Sequence, residues 1–192
     1  MAYRQPYPED YATHIPVLVG IARLGFPIRN ILEFGSGRYS TPLFLNRTIF
    51  PYTETLVSIE NNLEWAQKVQ QQVGFDARLQ ISNTLAYELK DFDLILIDND
   101  TVPNKIKTIH EVAQSYRLFA VIHDSECSEY QEALKDFGTW EDFGEYNPHT
   151  GVAIRGVSMK WDSIHRKISK HSNFLPSDVL GWGAAFLGAK NL

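Results

Sequence analysis

Short apolar runs alternate along this chain with segments whose apolar residues recur every three or four positions. The first kind of run marks strands, and the second marks amphipathic helices. "YATHIPVLVGIARLG" (11–25) predicts a first helix, closed by Gly25 and Pro27, and "NILEF" (30–34) a short strand. A further helix is expected from about Ser40. "TLVSIE" (55–60) is a second strand and ends on an acid. In "NLEWAQKVQQQVG" (62–74) the apolar stripe is Leu63, Ala66, Val69 and Val73, with Asn61 or Asn62 as N-cap and Gly74 as the stop. "ARLQIS" (77–82) gives a third strand. "FDLILID" (92–98) is the strongest, and its unbroken apolar run predicts burial on both faces.

Pro103 then opens a helix with Ile106, Ile109, Val112 and Tyr116 on one face, and "LFAVIHD" (118–124) is a fifth strand. "SEYQEALKDFG" (128–138) predicts one helix, with Ser128 and Gln131 at capping-box spacing and an apolar stripe of Tyr130, Ala133, Leu134 and Phe137. "WEDFGEYN" (140–147) and "GVAIRGVSM" (151–159), joined by Pro148, His149 and Thr150, read as an antiparallel hairpin. Such alternation implies an α/β fold: a mostly parallel sheet with helices on both faces and right-handed crossovers. Ligands bind such sheets beyond the carboxyl ends of the strands. Those ends carry Glu33 to Gly37, Glu60, Ser82 with Asn83, Asp98 to Asp100, and His123 with Asp124. Nearly every strand ends in a polar or acidic group.

Composition narrows the setting. A length of 192 residues, 44% hydrophobic and 21% charged, fits a single domain with an ordinary core. The single cysteine, Cys127, rules out an internal disulfide and favours a reducing compartment. No secretory signal stands in "MAYRQPYPEDYATH", and the longest apolar runs fall short of a membrane span, so a cytoplasmic location and no membrane partner are expected. The net charge of −5 argues against nucleic acid as a partner. The local basic stretch "HRKISKH" (165–171) reads as a solvated face, or else as a contact for an anion.

The most informative stretch is "ILEFGSGRYSTPLF" (31–44), where a strand, an acid and two glycines meet. Gly35 and Gly37 let the backbone turn and let a ligand come close. Glu60, at the end of the second strand, is placed to accept hydrogen bonds from a ribose diol. A dinucleotide fingerprint needs a third glycine where this chain has Ser40, and Glu33 beside the turn would repel a pyrophosphate. The electrostatics favour a cationic nucleoside without phosphate, such as S-adenosylmethionine, over NAD.

"LEFGSG", "SIENNLEW", "FDLILID" and "VIHDSE" resemble, in order and spacing, the successive motifs of class I S-adenosylmethionine-dependent methyltransferases. The resemblance covers residues 12–158, with 159–192 as a C-terminal extension of one domain spanning 1–192. It implies a Rossmann-like seven-stranded sheet of order 3-2-1-4-5-7-6, in which strand 7 is antiparallel. It also implies that Glu33, Phe34, Gly35, Ser36 and Gly37 frame the methionine part of the cofactor and that Glu60 holds the ribose. Asn61, Ser82 and Asn83 would lie by the adenine, and Asp98 would face the sulfonium and the substrate. Tyr39 departs from the family, many of whose members have glycine there.

Methyl transfer to a hydroxyl needs alignment and removal of a proton. Asp98, Asp100, His123 and Asp124 are the candidate bases, and His123 has the most suitable ordinary pKa. His14 could reach the same edge, although a packed helix histidine is the simpler expectation. Trp65 is expected in the core. No metal is required, but Asp98 and Asp124 end adjacent strands and form the one candidate pair for a divalent ion. The resulting expectation is an enzyme that methylates a small molecule or sugar, with O-methylation favoured. A non-catalytic S-adenosylmethionine-binding module and an NAD-linked oxidoreductase are the competing readings. The aromatic segment "FLPSDVLGWGAAFLG" (174–188) is a candidate edge cover, substrate lid or homo-oligomer contact.

Overall fold

Seven strands form one sheet in the order β3-β2-β1-β4-β5-β7-β6. They are β1 (Asn30–Phe34), β2 (Thr55–Ile59), β3 (Leu79–Ser82), β4 (Leu94–Ile97), β5 (Phe119–His123), β6 (Trp140–Phe143) and β7 (Thr150–Ile154). This is a computed structural model, and it describes residues 12–172 apart from 100, 146 and 158. Candidate base Asp100 and the aromatic segment 174–188 therefore lie outside the described residues. β1 to β5 run parallel, and β7 is antiparallel to both β5 and β6. The order and the reversed strand agree with the sequence expectation.

Residue alternation along the strands separates two cores. Ile31, Leu56, Leu94, Leu96, Phe119 and Val121 face α1 (Ile15–Ala22), α2 (Ser40–Leu45) and α6 (Trp161–Ser172). Leu32, Val57, Ile95, Ile97, Ala120 and Ile122 face α4 (Val102–Ser115) and α5 (Gln131–Leu134). Every residue of β4 and β5 is buried, as their continuous apolar runs require of central parallel strands.

The helices depart from expectation in four places. α1 is shorter than 11–25, starting at Ile15 and ending at Ala22. In α3 (Leu63–Val73) the Asn62 side chain caps the Trp65 amide at 3.1 Å, while Leu63 is 70% exposed and lies outside the buried stripe. The single helix expected over 128–138 is three short pieces, a 3₁₀ turn at Ser128–Tyr130, α5, and a 3₁₀ turn at Lys135–Phe137. No capping box forms, because Ser128 donates to Glu129 and the Gln131 amide donates to the Ser125 carbonyl. The basic stretch 165–171 belongs to α6, which the sequence pattern did not define.

α6 packs on α1 through Ile164 and Ile168, both buried. The approach is close enough that a Cβ on Gly20 would stand 2.7 Å from the Ile168 carbonyl oxygen and 2.9 Å from its Cα. Backbone, which cannot swing aside, would have to move. Gly20→Ala should therefore destabilise the protein by about 1–3 kcal/mol in urea unfolding. Unchanged stability would show that the two helices do not meet there.

Candidate functional site

β1 ends in the glycine turn, and the turn is fixed from below by Glu33. Glu33 pairs in register with Ser58 of β2 and is fully buried. Its carboxyl accepts from the hydroxyls of Ser40, Thr41 (2.6 Å) and Ser58 (2.8 Å). Burial pushes its pKa up to about 7, even though the three hydroxyls favour the ionised form. Glu33 thus braces the turn from within rather than lining the space above it, and Ser40, the residue that breaks the dinucleotide fingerprint, is one of its donors.

Gly35 has φ +89°, and a Cβ there would overlap the Asp98 carbonyl oxygen. Both facts require glycine. The turn thereby sets β1 against the end of β4, and above it lies a cleft lined by Gly35, Ser36, Ile59, Glu60, Asn61, Asn62, Trp65, Asp98 and Asn99. Glu60 is held at its mouth. The Ser36 amide donates to its carboxylate at 3.2 Å and the Asn62 amide at 2.7 Å. The Trp65 indole donates to the Ser36 carbonyl at 2.5 Å, so Trp65 closes one wall of the cleft instead of sitting in the core.

Five of the residues singled out from the sequence therefore meet in one cleft: Gly35, Ser36, Glu60, Asn61 and Asp98. The others stand apart. Phe34 packs into the α4–α5 core. The Gly37 amide donates to Thr41 at 3.1 Å. Ser82 forms a local turn with Thr84, and Asn83 is exposed.

Behind Asp98 lies a buried polar cluster. His123 Nδ1 lies 2.9 Å from Asp98 Oδ1, and His123 Nε2 lies 2.9 Å from the Thr13 hydroxyl. Burial opposes a charge on His123, but the Asp98 carboxylate beside it outweighs that effect and raises the pKa of the ring. Burial likewise opposes charge on Asp98, and the His123 charge outweighs it and lowers the pKa of the acid. His123 is buried and does not line the cleft, whereas Asp98 does.

Asp124 (φ 56°) turns its carboxylate to Lys105, at 2.9 Å. The buried Lys105 ammonium also stands 3.8 Å from Asp98. A cation is therefore already placed between the two acids that were the candidate pair for a divalent ion. Lys105 was not anticipated; the one signal for it was a charged side chain on the inward face of a helix that runs between two acidic strand ends. His14 does reach this edge. Its ring meets His123 edge-on at 4.7 Å, and burial together with the His123 charge lowers its pKa to about 3.

No protein-family model and no curated protein matches this sequence. Solved structures do share its fold. Spermidine synthase from Thermotoga maritima is 13% identical with a TM-score of 0.57, over 91% of this chain and 74% of that one. The N-methyltransferase NodS from Bradyrhizobium japonicum WM9, with S-adenosyl-L-homocysteine, is 13% identical with a TM-score of 0.52, over 78% of this chain and 87% of that one. The [4+2]-cyclase SpnF is 14% identical with a TM-score of 0.51, over 97% of this chain and 78% of that one. These likenesses establish the Rossmann-like methyltransferase architecture. No helix among the described residues is long and apolar enough to cross a membrane.

The bracing acid has a pH consequence. A carboxyl whose folded pKa is raised to about 7 keeps a proton that the unfolded chain releases near its ordinary value of 4.5. Its contribution to stability is complete below that lower value and is lost as pH rises through about 7, a difference on the order of 3 kcal/mol. Unfolding free energies of the wild type, measured relative to Glu33→Gln, should decline between pH 5 and pH 8. A difference that stays flat would show that Glu33 ionises as it does in water.

Proposed function

We propose that the chain is an S-adenosylmethionine-dependent methyltransferase acting on a hydroxyl of a small molecule or sugar. The observation that carries this reading is the charge of the cleft. Its lining contains two carboxylates, Glu60 and Asp98, and no lysine or arginine. A pyrophosphate would find no counter-charge there, whereas a cationic adenosyl compound would. The Gly35–Ser36 turn leaves room for a ligand against the backbone, and Glu60 offers the acceptor for a ribose diol. The fold shared with NodS agrees with this reading.

When bound, the cofactor supplies a methyl group on a sulfonium; an attacking lone pair forms the new bond to carbon, and the C–S electrons return to sulfur. The chain's own residues align the acceptor and take its proton. Asp98 lines the cleft at the end of β4, so in this reading its carboxylate receives the acceptor hydroxyl and the proton released on transfer. His123, from behind, holds Asp98 in orientation and is a positioning residue. Lys105 keeps Asp124 paired and adds positive charge near the point where the oxyanion develops. The net charge of −5 and the acidic cleft favour an uncharged or cationic acceptor over nucleic acid.

Calorimetric titration with S-adenosylhomocysteine tests the reading. Wild type should bind one molecule per chain, and Glu60→Ala should weaken binding about 10- to 100-fold, the scale of one or two hydrogen bonds to a charged group. Asp98→Asn should retain binding, while S-adenosylhomocysteine formation from S-adenosylmethionine with sugar and phenolic acceptors falls about 10²- to 10⁴-fold. Absence of binding by the wild type would end this assignment. Binding without turnover, or turnover untouched by Asp98→Asn, would remove the catalytic role.

A further inference from the structure

We propose that His14, Asp98 and His123 form a site for one divalent transition-metal ion of the zinc or iron class. The site stands on geometry and does not rest on the reaction assigned above, but it draws on the same Asp98 and His123, so an ion held there takes up the carboxylate that the reaction uses as base. One ligand atom from each of the three side chains lies within 4.8 Å of the others. His14 comes from the turn before α1, Asp98 from the end of β4 and His123 from the end of β5, so the cluster is assembled by the fold and not by local sequence.

The observation that points to a ligand is His14 itself. Its side chain is 2% exposed, and neither ring nitrogen has a hydrogen-bond partner. A neutral imidazole carries one N–H and one lone pair, and burying both without partners is unfavourable. An ion held with Asp98 and His123 gives the lone pair its partner. Hydrophobic packing alone would be served better by leucine or phenylalanine at this position.

The remaining distances fit. Two ligands about 2.1 Å from one ion, at right angles to each other, stand about 3 Å apart; His123 Nδ1 and Asp98 Oδ1 are separated by 2.9 Å. The other nitrogen of His123 faces the Thr13 hydroxyl at 2.9 Å, so an N–H donated there leaves Nδ1 free as the ligating atom. Metal-bound histidines are commonly oriented in this way. Closing the set from 4.8 Å to ligand spacing takes a movement of at most about 2 Å at His14.

Charge and donor type select the ion. Binding displaces the proton that Asp98 favours on His123; with both rings neutral the cluster then holds two carboxylates, Asp98 and Asp124, against the Lys105 ammonium, which leaves one negative charge for a cation to meet. Two imidazoles and one carboxylate suit zinc, iron, cobalt or nickel; magnesium and calcium prefer oxygen donors. The site is distinct from one made by the two acids alone, since Lys105 already bridges Asp98 and Asp124. Because Asp98 also lines the cleft, an ion here would lie next to whatever the cleft binds.

Untagged protein, stripped of metal and titrated with Co²⁺ and with Zn²⁺, decides the matter. We expect one ion per chain, a Co²⁺ ligand-field spectrum without thiolate charge-transfer bands, and ring-nitrogen NMR shifts at His14 and His123 in the wild type. His14→Ala should weaken Zn²⁺ binding at least about 100-fold, no less than loss of an outer partner of a metal ligand does. If wild type takes up no stoichiometric ion at micromolar concentration, the site does not exist and a buried water satisfies His14. Binding that leaves the His14 and His123 resonances unmoved, or that is unchanged in folded His14→Ala, overturns the proposal equally.

Discussion

One buried carboxyl organises the working end of this sheet. Glu33 draws hydroxyls from two segments, the first turn of α2 and strand β2, onto the end of β1. A carboxyl with no water around it must have such partners, so each of these segments is fixed by the need to satisfy it. The consequence is geometric. With α2 and β2 pinned, the glycine turn that joins β1 to α2 has little freedom, and the Ser36 amide is delivered to Glu60. The cleft is shaped from underneath.

The same arrangement explains which parts of the fold were legible in the sequence. Burial on both faces leaves an unbroken apolar run, which is why β1, β4 and β5 appear in the sequence almost as they occur in the structure. The acids and glycines at the strand ends were legible for a related reason: the carboxyl edge of a parallel sheet is where polar groups have a use. α6 was not legible. Its fully buried residues among those described, Ile164 and Ile168, stand among charged neighbours, and they pack where Gly20, more than 140 residues earlier, lets α1 come close. The breaking of the 128–138 helix has a similar source, since Gln131 is drawn to the Ser125 carbonyl rather than to a cap.

The site itself divides along the same line. Gly35, Ser36, Glu60 and Asp98 could be named because strand-end position alone places them. Glu33 could be named but not placed, because its three donors come from segments whose meeting the sequence does not spell out. Trp65, Lys105 and His14 needed tertiary structure. Trp65 sits at a helical position that looks like core, and it is turned to the cleft by its bond to the Ser36 carbonyl. Lys105 has a charge that would be costly on a buried face, and only the nearness of Asp98 and Asp124 makes it tolerable.

Fold alone leaves the chemistry open, as an N-methyltransferase, a spermidine synthase and a [4+2]-cyclase on one architecture demonstrate. In this chain two adjoining spaces differ in polarity. The lining of the cleft holds two acids and no lysine or arginine, which is the basis of the ligand class proposed for it. The cluster behind it is buried, so its charges must be paired with one another: Asp98 with His123, Lys105 with Asp124. Asp98 belongs to both spaces. Any ligand that draws on its carboxylate from the cleft side competes with His123 for the same group, and any change at His123 alters the charge that the cleft offers. Under the proposed function, binding and chemistry meet at this one side chain, whose backbone lies against a glycine that cannot be replaced without striking it.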